Sequence, residues 1–295
     1  MQNVKLKSYL QLHLIVFIWG FTAVLGKLIT LDALPLVWIR MLLAVIIVFF
    51  YLKIKKTTFQ ISRKDLLILF FLGLVIALHW FTFFKAIKES NVSVTLACIS
   101  TGALFASVLE PIFFKRKLIL YELLFGGLVV LGLIIIFKLD SKYHYGILLS
   151  LISAFLSAFF AVINGIYVNK YDAGVITFYE LLGGVIFFTI ILLLNQQIDA
   201  LFFDISINDW MYLFILSSIC TAYAFITNVK IMKYISPFSV MLTVNLEPIY
   251  GIILALLLFK ESETMDHNFY IGTVIILSTI VLNGLIKYFK KDTKN

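Results

Sequence analysis

The chain has 295 residues, 62% of them hydrophobic and only 14% charged, with a mean hydropathy of +1.05, whereas soluble domains carry roughly 25% charged residues. That balance excludes an ordinary soluble domain. Apolar runs of about 18–25 residues, without the alternation a membrane barrel needs, leave an all-α integral membrane protein. The formal net charge of +8 falls in short loops between apolar runs, so it reports topology and no nucleic acid is expected as a partner.

Hydropathy cuts the sequence into about ten predicted transmembrane helices, near residues 11–30, 36–52, 66–86, 91–114, 119–138, 146–169, 174–194, 210–229, 236–259 and 269–287. Lys5 and Lys7 before the run Leu12 to Thr30 imitate a signal peptide, but the run is long and lacks a small-x-small cleavage pattern, so it is read as an uncleaved first span. Within it, Gly20 allows close helix approach and the buried indole of Trp19 needs a partner for its N–H; packing and substrate contact are both open for Trp19. Arg40 enters the second span about a turn from the outer surface, where it either snorkels to the interface or pairs with an acid in the bundle, the preferred reading.

His79 and Trp80 lie midway along the third span, where His79 is either a satisfied structural group or a proton relay. In the fourth span Glu110 sits about one turn from the cluster Lys115-Arg116-Lys117, which makes a helix-end ion pair at least as good a reading as a site role. Asn164 in the sixth span, Glu180 in the seventh, Asn228 in the eighth and Asn245 in the ninth are polar groups that hydrocarbon penalises. Cys98 and Cys220 lie inside apolar spans without metal-ligand spacing, so neither a disulfide framework nor a redox site is indicated.

The ninth span, Ser236 to Lys260, carries the most informative group. A carboxylate at the depth of Glu247 costs roughly 2.5–3.5 kcal/mol on insertion scales, so it faces protein or a water-filled cavity. Pro248 lacks an N–H and pushes against the carbonyl of Val244, leaving an acceptor free beside the acid. Glu247 is read as lining the working site and carrying a proton; the alternative is a protonated packing residue.

The third to fifth spans resemble the eighth to tenth at a shift of about 145 residues, with Lys85-Ala86-Ile87-Lys88 against Lys230-Ile231-Met232-Lys233 and Gly126 near Gly272. Earlier in each half the match is looser, with Arg40 against Glu180. Two five-helix repeats follow, 1–140 and 141–295, and an odd number of spans inverts the second repeat relative to the first. Ser100, Thr101 and Gly102 then stand opposite the Glu247 region and are expected to form a small-residue wall. Most Lys and Arg, from Lys5 through the Lys53–Lys64 cluster and Arg116 to Lys294, fall on one side, with Lys138 among the few on the other, so both termini are expected in the cytoplasm. The loop Gln196–Asn208, with Asp199 and Asp204 before Asp209, is expected outside.

Phe17-Ile18-Trp19-Gly20-Phe21-Thr22 with Lys27, Leu34-Pro35 followed by Arg40, and Leu258-Phe259-Lys260-Glu261 resemble the EamA-type transporters of the drug/metabolite transporter superfamily, over nearly the whole chain. The resemblance implies a ten-helix inner-membrane carrier, commonly an exporter of amino acids or other small metabolites, with a central cavity built mainly by helices other than the fifth and tenth. At the end of the fourth span Lys115 or Arg116 stands where that family places an acid.

The expected function is a secondary transporter, with a small-molecule substrate and the lipid bilayer as partners and a homodimer left open. A Walker loop is absent and no cofactor is expected. An intramembrane enzyme would need a motif such as H-E-x-x-H or G-x-S-x-G, and neither occurs. A non-transporting scaffold or receptor would not need several ionisable groups in mid-membrane.

Overall fold

The structure is a computed structural model describing residues 2–115, 117, 119–136, 141–198 and 202–292. Asp199, Arg116, Lys138 and Lys294 lie outside the described residues. Among those described, the regular structure is helical: α1 Gln2–Leu28, α2 Ala33–Ile54, α3 Arg63–Glu89, α4 Val92–Ile99, α5 Gly102–Phe114, α6 Leu120–Ile136, α7 His144–Tyr167, α8 Ala173–Leu194, α9 Ile207–Ser217, α10 Ala224–Ile231, α11 Pro237–Val244, α12 Glu247–Phe259 and α13 His267–Asp292. Eight segments among the described residues are long and apolar enough to cross a membrane, counting α4 with α5, α9 with α10, and α11 with α12 as single crossings. Leu10, Leu14, Phe71 and Leu194 are among many large apolar side chains left exposed, as a lipid-facing surface requires.

Local signals set the helix ends, and they recur in both halves. Ser62 Oγ accepts from Asp65 N at 3.1 Å to start α3, and Ser206 Oγ accepts from Asp209 N at 3.1 Å to start α9. Asn91 starts α4 by accepting from Val94 N at 2.8 Å, and Ser236 starts α11 by accepting from Ser239 N at 3.3 Å. Lys56, Lys115, Gln196 and Lys260 hold positive φ of 53°, 52°, 53° and 47° just after helices, a conformation that residues with a Cβ rarely adopt. The two left-handed pairs are spaced alike with their helices: Lys56 to Gln196 and α2 to α8 by 140 residues, Lys115 to Lys260 and α4–α5 to α11–α12 by 145.

The fourth and ninth spans, expected as continuous helices, are each broken. Ser100 and Thr101 separate α4 from α5, and Asn245 and Leu246 separate α11 from α12. Pro248 removes one backbone donor from the second break. The first break has Ala103 at the equivalent position, and there Ser100 Oγ and Thr101 Oγ1 donate back to the Leu96 and Cys98 carbonyls at 3.3 and 2.8 Å, competing with the helical ladder. The bend therefore belongs to the repeat, and the proline is an addition in one copy.

Each second half of the loop-to-helix entry is held by an acid from the other repeat. Glu263 is fully buried and accepts from Val92 N at 3.1 Å, Ser93 N at 2.9 Å and Ser93 Oγ at 2.8 Å, while Lys27 Nζ donates to it at 2.7 Å. Glu110 accepts from Phe238 N at 2.5 Å in the first turn of α11. An acid at a helix N-terminus meets both unpaired N–H groups and the positive end of the dipole. Glu261, the acid in the motif that carried the resemblance, is exposed, and Glu263 two residues on is the one built into the fold. Asp209, read as bordering an external loop, is also buried and accepts from Thr30 N at 2.9 Å and Thr30 Oγ1 at 2.7 Å, fastening the α1–α2 connection to α9.

Glycines set the closest crossings. A Cβ on Gly73 of α3 would strike the Glu180 carbonyl of α8, and a Cβ on Gly20 of α1 would lie 2.7 Å from Tyr250 Cβ and 3.3 Å from Gly251 N of α12. α6 and α13 pack on one another, with Gly132 and Gly272 each facing the other's carbonyl at 2.8 and 2.6 Å from an added Cβ. Close backbone approach of this kind is how helices associate where lipid removes the hydrophobic drive.

Candidate substrate cavity

The cavity grows out of two local devices. The first is the Gly20–Gly251 crossing, which brings α1 against α12 and sets Trp19 beside the start of α12, one turn before Gly251, where Glu247 stands. The second is a π-helical turn, Ser218–Tyr223, between α9 and α10. Widening the turn shifts the bonding register, so that Thr221 Oγ1 donates to the Leu216 carbonyl at 2.7 Å, five residues back, and the Cys220 carbonyl is free to accept from Trp19 Nε1 at 3.1 Å. Thr221 Oγ1 in turn accepts from Arg40 Nε at 2.6 Å.

Arg40 is 1% exposed, and its guanidinium lies over the Trp80 ring with 4.0 Å to the centroid, a stacked cation–π contact. The expected pairing of Arg40 with an acid does not occur: among the described residues it makes no ion pair, and a hydroxyl and an indole hold it instead. His79 is tied to α7. Its Nδ1 lies 2.9 Å from the Ser153 carbonyl and 2.8 Å from Ser153 Oγ, and that hydroxyl donates to the His79 carbonyl at 2.9 Å. Both oxygens therefore accept, so Nδ1 carries the hydrogen and Nε2 the lone pair.

Together these residues border one cavity of about 660 Å³, within the range of about 300–1,000 Å³ usual for small-molecule sites. Trp19 and Thr22 come from α1, Arg40 from α2, His79, Trp80 and Phe83 from α3, Ile99 from the end of α4, Ser157, Phe160 and Ala161 from α7, Phe225 and Asn228 from α10, Val240, Met241 and Val244 from α11, and Glu247 from α12. Both repeats contribute, and α5, α6, α8 and α13 contribute none of these residues. The walls are mostly aromatic and aliphatic, with one acid and one guanidinium set among them.

The sequence model of the EamA-like transporter family matches residues 6–138 and again 144–285. The chain belongs to the EamA-like transporter family. It is a multi-pass membrane protein of a family of transporters, and it carries that family's unit twice. A solved structure described only as "Crystal structure of protein" is similar over 95% of this chain and 97% of its own, with a TM-score of 0.71 at 11% identity, which speaks for the fold. No curated protein matches the chain.

Of the residues singled out in the sequence of this EamA-like chain, Glu247, His79, Trp19, Arg40 and Asn228 border the cavity, and Asn245, Glu180, Asn164 and Thr101 do not. Thr101 turns back on its own helix through Oγ1, and Ile99 rather than the Ser100–Gly102 stretch faces the space near Glu247. Asn164 lies one turn beyond Phe160 and donates to Glu180 Oε2 at 3.4 Å, in a buried α7–α8 contact where α8 is packed behind α3. Asn245 sits in the break itself, with Nδ2 buried and unpartnered. Hydropathy penalises polar groups at any buried interface, so it cannot tell the cavity from a helix contact.

Sequence reading missed most of the apolar wall. Phe83, Phe160, Phe225 and Met241 carry no signal against a background of 29 Phe. Ser157 offered one: it lies two turns before Gly165 on an otherwise apolar helix face, and its period could have been followed.

Proposed function

We propose that this chain is a secondary transporter that moves small polar metabolites such as amino acids across a bacterial-type plasma (inner) membrane by alternating access, as an exporter coupled to protons through Glu247. The observation that carries this reading is a cavity walled by both repeats, with Glu247 and Arg40 on it and no ion pair between them. A static structural ion pair would have closed that gap, and charges exposed to a shared cavity are what a cargo or proton site requires.

In this reading the protein crosses the membrane ten times, α6 and α13 being the fifth and tenth crossings, as inverted repeats spanning 1–140 and 141–295 with both termini in the cytoplasm. The reciprocal caps at Glu263 and Glu110 support it, because a repeat turned over relative to its partner places equivalent helix entries on opposite membrane faces. A cysteine at Gln197, in a background lacking Cys98 and Cys220, is then labelled from outside; labelling only after permeabilisation overturns the topology. An enzymatic role is set aside because the family's members are transporters.

Uptake of a metabolite panel into proteoliposomes tests transport. The substitution Glu247→Gln keeps the shape and removes the titrating proton, so the variant is expected to fold and bind cargo while losing the response of flux to a pH gradient. An unchanged pH profile would make the acid structural and turn attention to His79.

A further inference from the structure

Arg40 spends its donors unevenly. Nε is used on Thr221 and the ring plane is covered by Trp80, but Nη1 is buried without a hydrogen-bond partner. No ion pair compensates the charge among the described residues. A buried guanidinium with an open donor is costly unless something supplies an acceptor, and Arg40 borders the cavity. A purely structural arginine would be expected to have its donors closed by carbonyls or acids of the fold.

We infer that Arg40 receives the carboxylate of the cargo, so that the cavity selects small carboxylates bearing an apolar side chain, and that Thr221 is the residue that aims it. The inference rests on the transport reading above and names the cargo class for that same site. One open nitrogen between an indole and a hydroxyl suits a singly charged, planar group. A phosphate dianion would have to shed its water against Phe83, Phe160, Phe225, Met241 and Val244, which cannot replace it. Those same walls fit an apolar tail. Glu247 borders the cavity without an ion pair to Arg40, so an ammonium on the cargo would have its own counter-charge, and a zwitterion would satisfy both at once.

Thr221 acts through Arg40. Its hydroxyl hydrogen goes to the Leu216 carbonyl because of the π turn, which fixes a lone pair toward Arg40 Nε and leaves Nη1 free. Arg40 and Trp80 together also supply a readout, since Trp80 and Trp19 are two of only four tryptophans and both border the cavity.

The test uses the full-length protein in detergent, read by tryptophan emission and thermal stabilisation. The probes are L-leucine and L-phenylalanine, their carboxamides, and the deaminated acids isocaproate and hydrocinnamate. Wild type is expected to bind at least one acid about tenfold to a hundredfold more tightly than its carboxamide, the discrimination that follows when a charge-assisted hydrogen bond goes unmade. Arg40→Gln is expected to bind acid and amide equally. If that variant does not fold, Thr221→Val, which keeps the guanidinium, is expected to weaken acid binding several-fold with amide binding unmoved. Equal binding of acid and amide by wild type overturns the inference, as does Thr221→Val weakening both alike. If none of the probes binds while the wider proteoliposome panel shows uptake, the carboxylate assignment falls and the transport reading stands; if acids bind selectively and no flux is found, the transport reading falls.

Discussion

The two broken spans share a backbone and differ in chemistry. α4–α5 and α11–α12 have matching boundaries 145 residues apart, the same left-handed residue at their ends, and an entry capped by an acid of the opposite repeat. At the first break the polar side chains are satisfied within their own helix; at the second, Asn245 keeps an open donor and Glu247 borders the cavity. Duplication thus preserved the bend and the caps, while one copy alone carries the acid. The geometry of a repeat and the chemistry of a site are set by different residues.

The caps offer the strongest way to break this symmetry. Glu263→Ala removes an acceptor from two helical N–H groups and a hydroxyl and leaves Lys27 without its counter-charge, so a loss of about 3–5 kcal/mol is expected, as for removal of one partner from a buried pair. Glu110→Ala, at the other entry, is expected to cost about 1–3 kcal/mol for the unsatisfied Phe238 N–H. Reversible unfolding in mixed micelles measures both. Equal losses would mean that Lys27 adds nothing and the two ends are energetically alike.

A smaller effect is expected at the crossing that positions Glu247. Gly20→Ala puts a methyl 2.7 Å from Tyr250 Cβ, an overpacking worth about 1–3 kcal/mol at most, and it should lower flux more than stability by separating Trp19 from α12. Flux and unfolding measured on the same preparation check this; a proportional loss in both would make the crossing merely structural.

The smallest effect sharpens the comparison most. Pro248→Ala gives the second break the residue found at Ala103 in the first, and because the first turn of a helix has few N–H bonds to gain, stability is expected to change by less than about 1 kcal/mol. A stabilisation near about 3 kcal/mol, the cost of proline inside a helix, would show that the proline makes the bend.

Legibility followed the physics of each signal. The spans, the repeat and the depth of Glu247 were readable because the bilayer imposes length and apolarity on every crossing and taxes each buried charge. The breaks were half legible: Pro248 marked one, but Ser100-Thr101 gave no comparable warning, since hydroxyls bond back to a helix without announcing where it ends. Glu261 drew attention away from Glu263 because a motif records spacing and says nothing of which acid a 3-10 turn directs inward.

By itself, then, the sequence determined the all-helical membrane class, the two copies of one unit and a short roster of costly polar groups, because those depend on composition and on contacts close along the chain. Only the tertiary structure decided which of those groups meet. Arg40 and Thr221 are 181 residues apart, and Trp19 and Cys220 are 201 apart; their partnership needs a π turn and a glycine crossing that no periodicity reports. The cavity exists because helices from both repeats pack with small residues at their crossings, and packing is a property of surfaces brought together after the chain has already spent its local preferences.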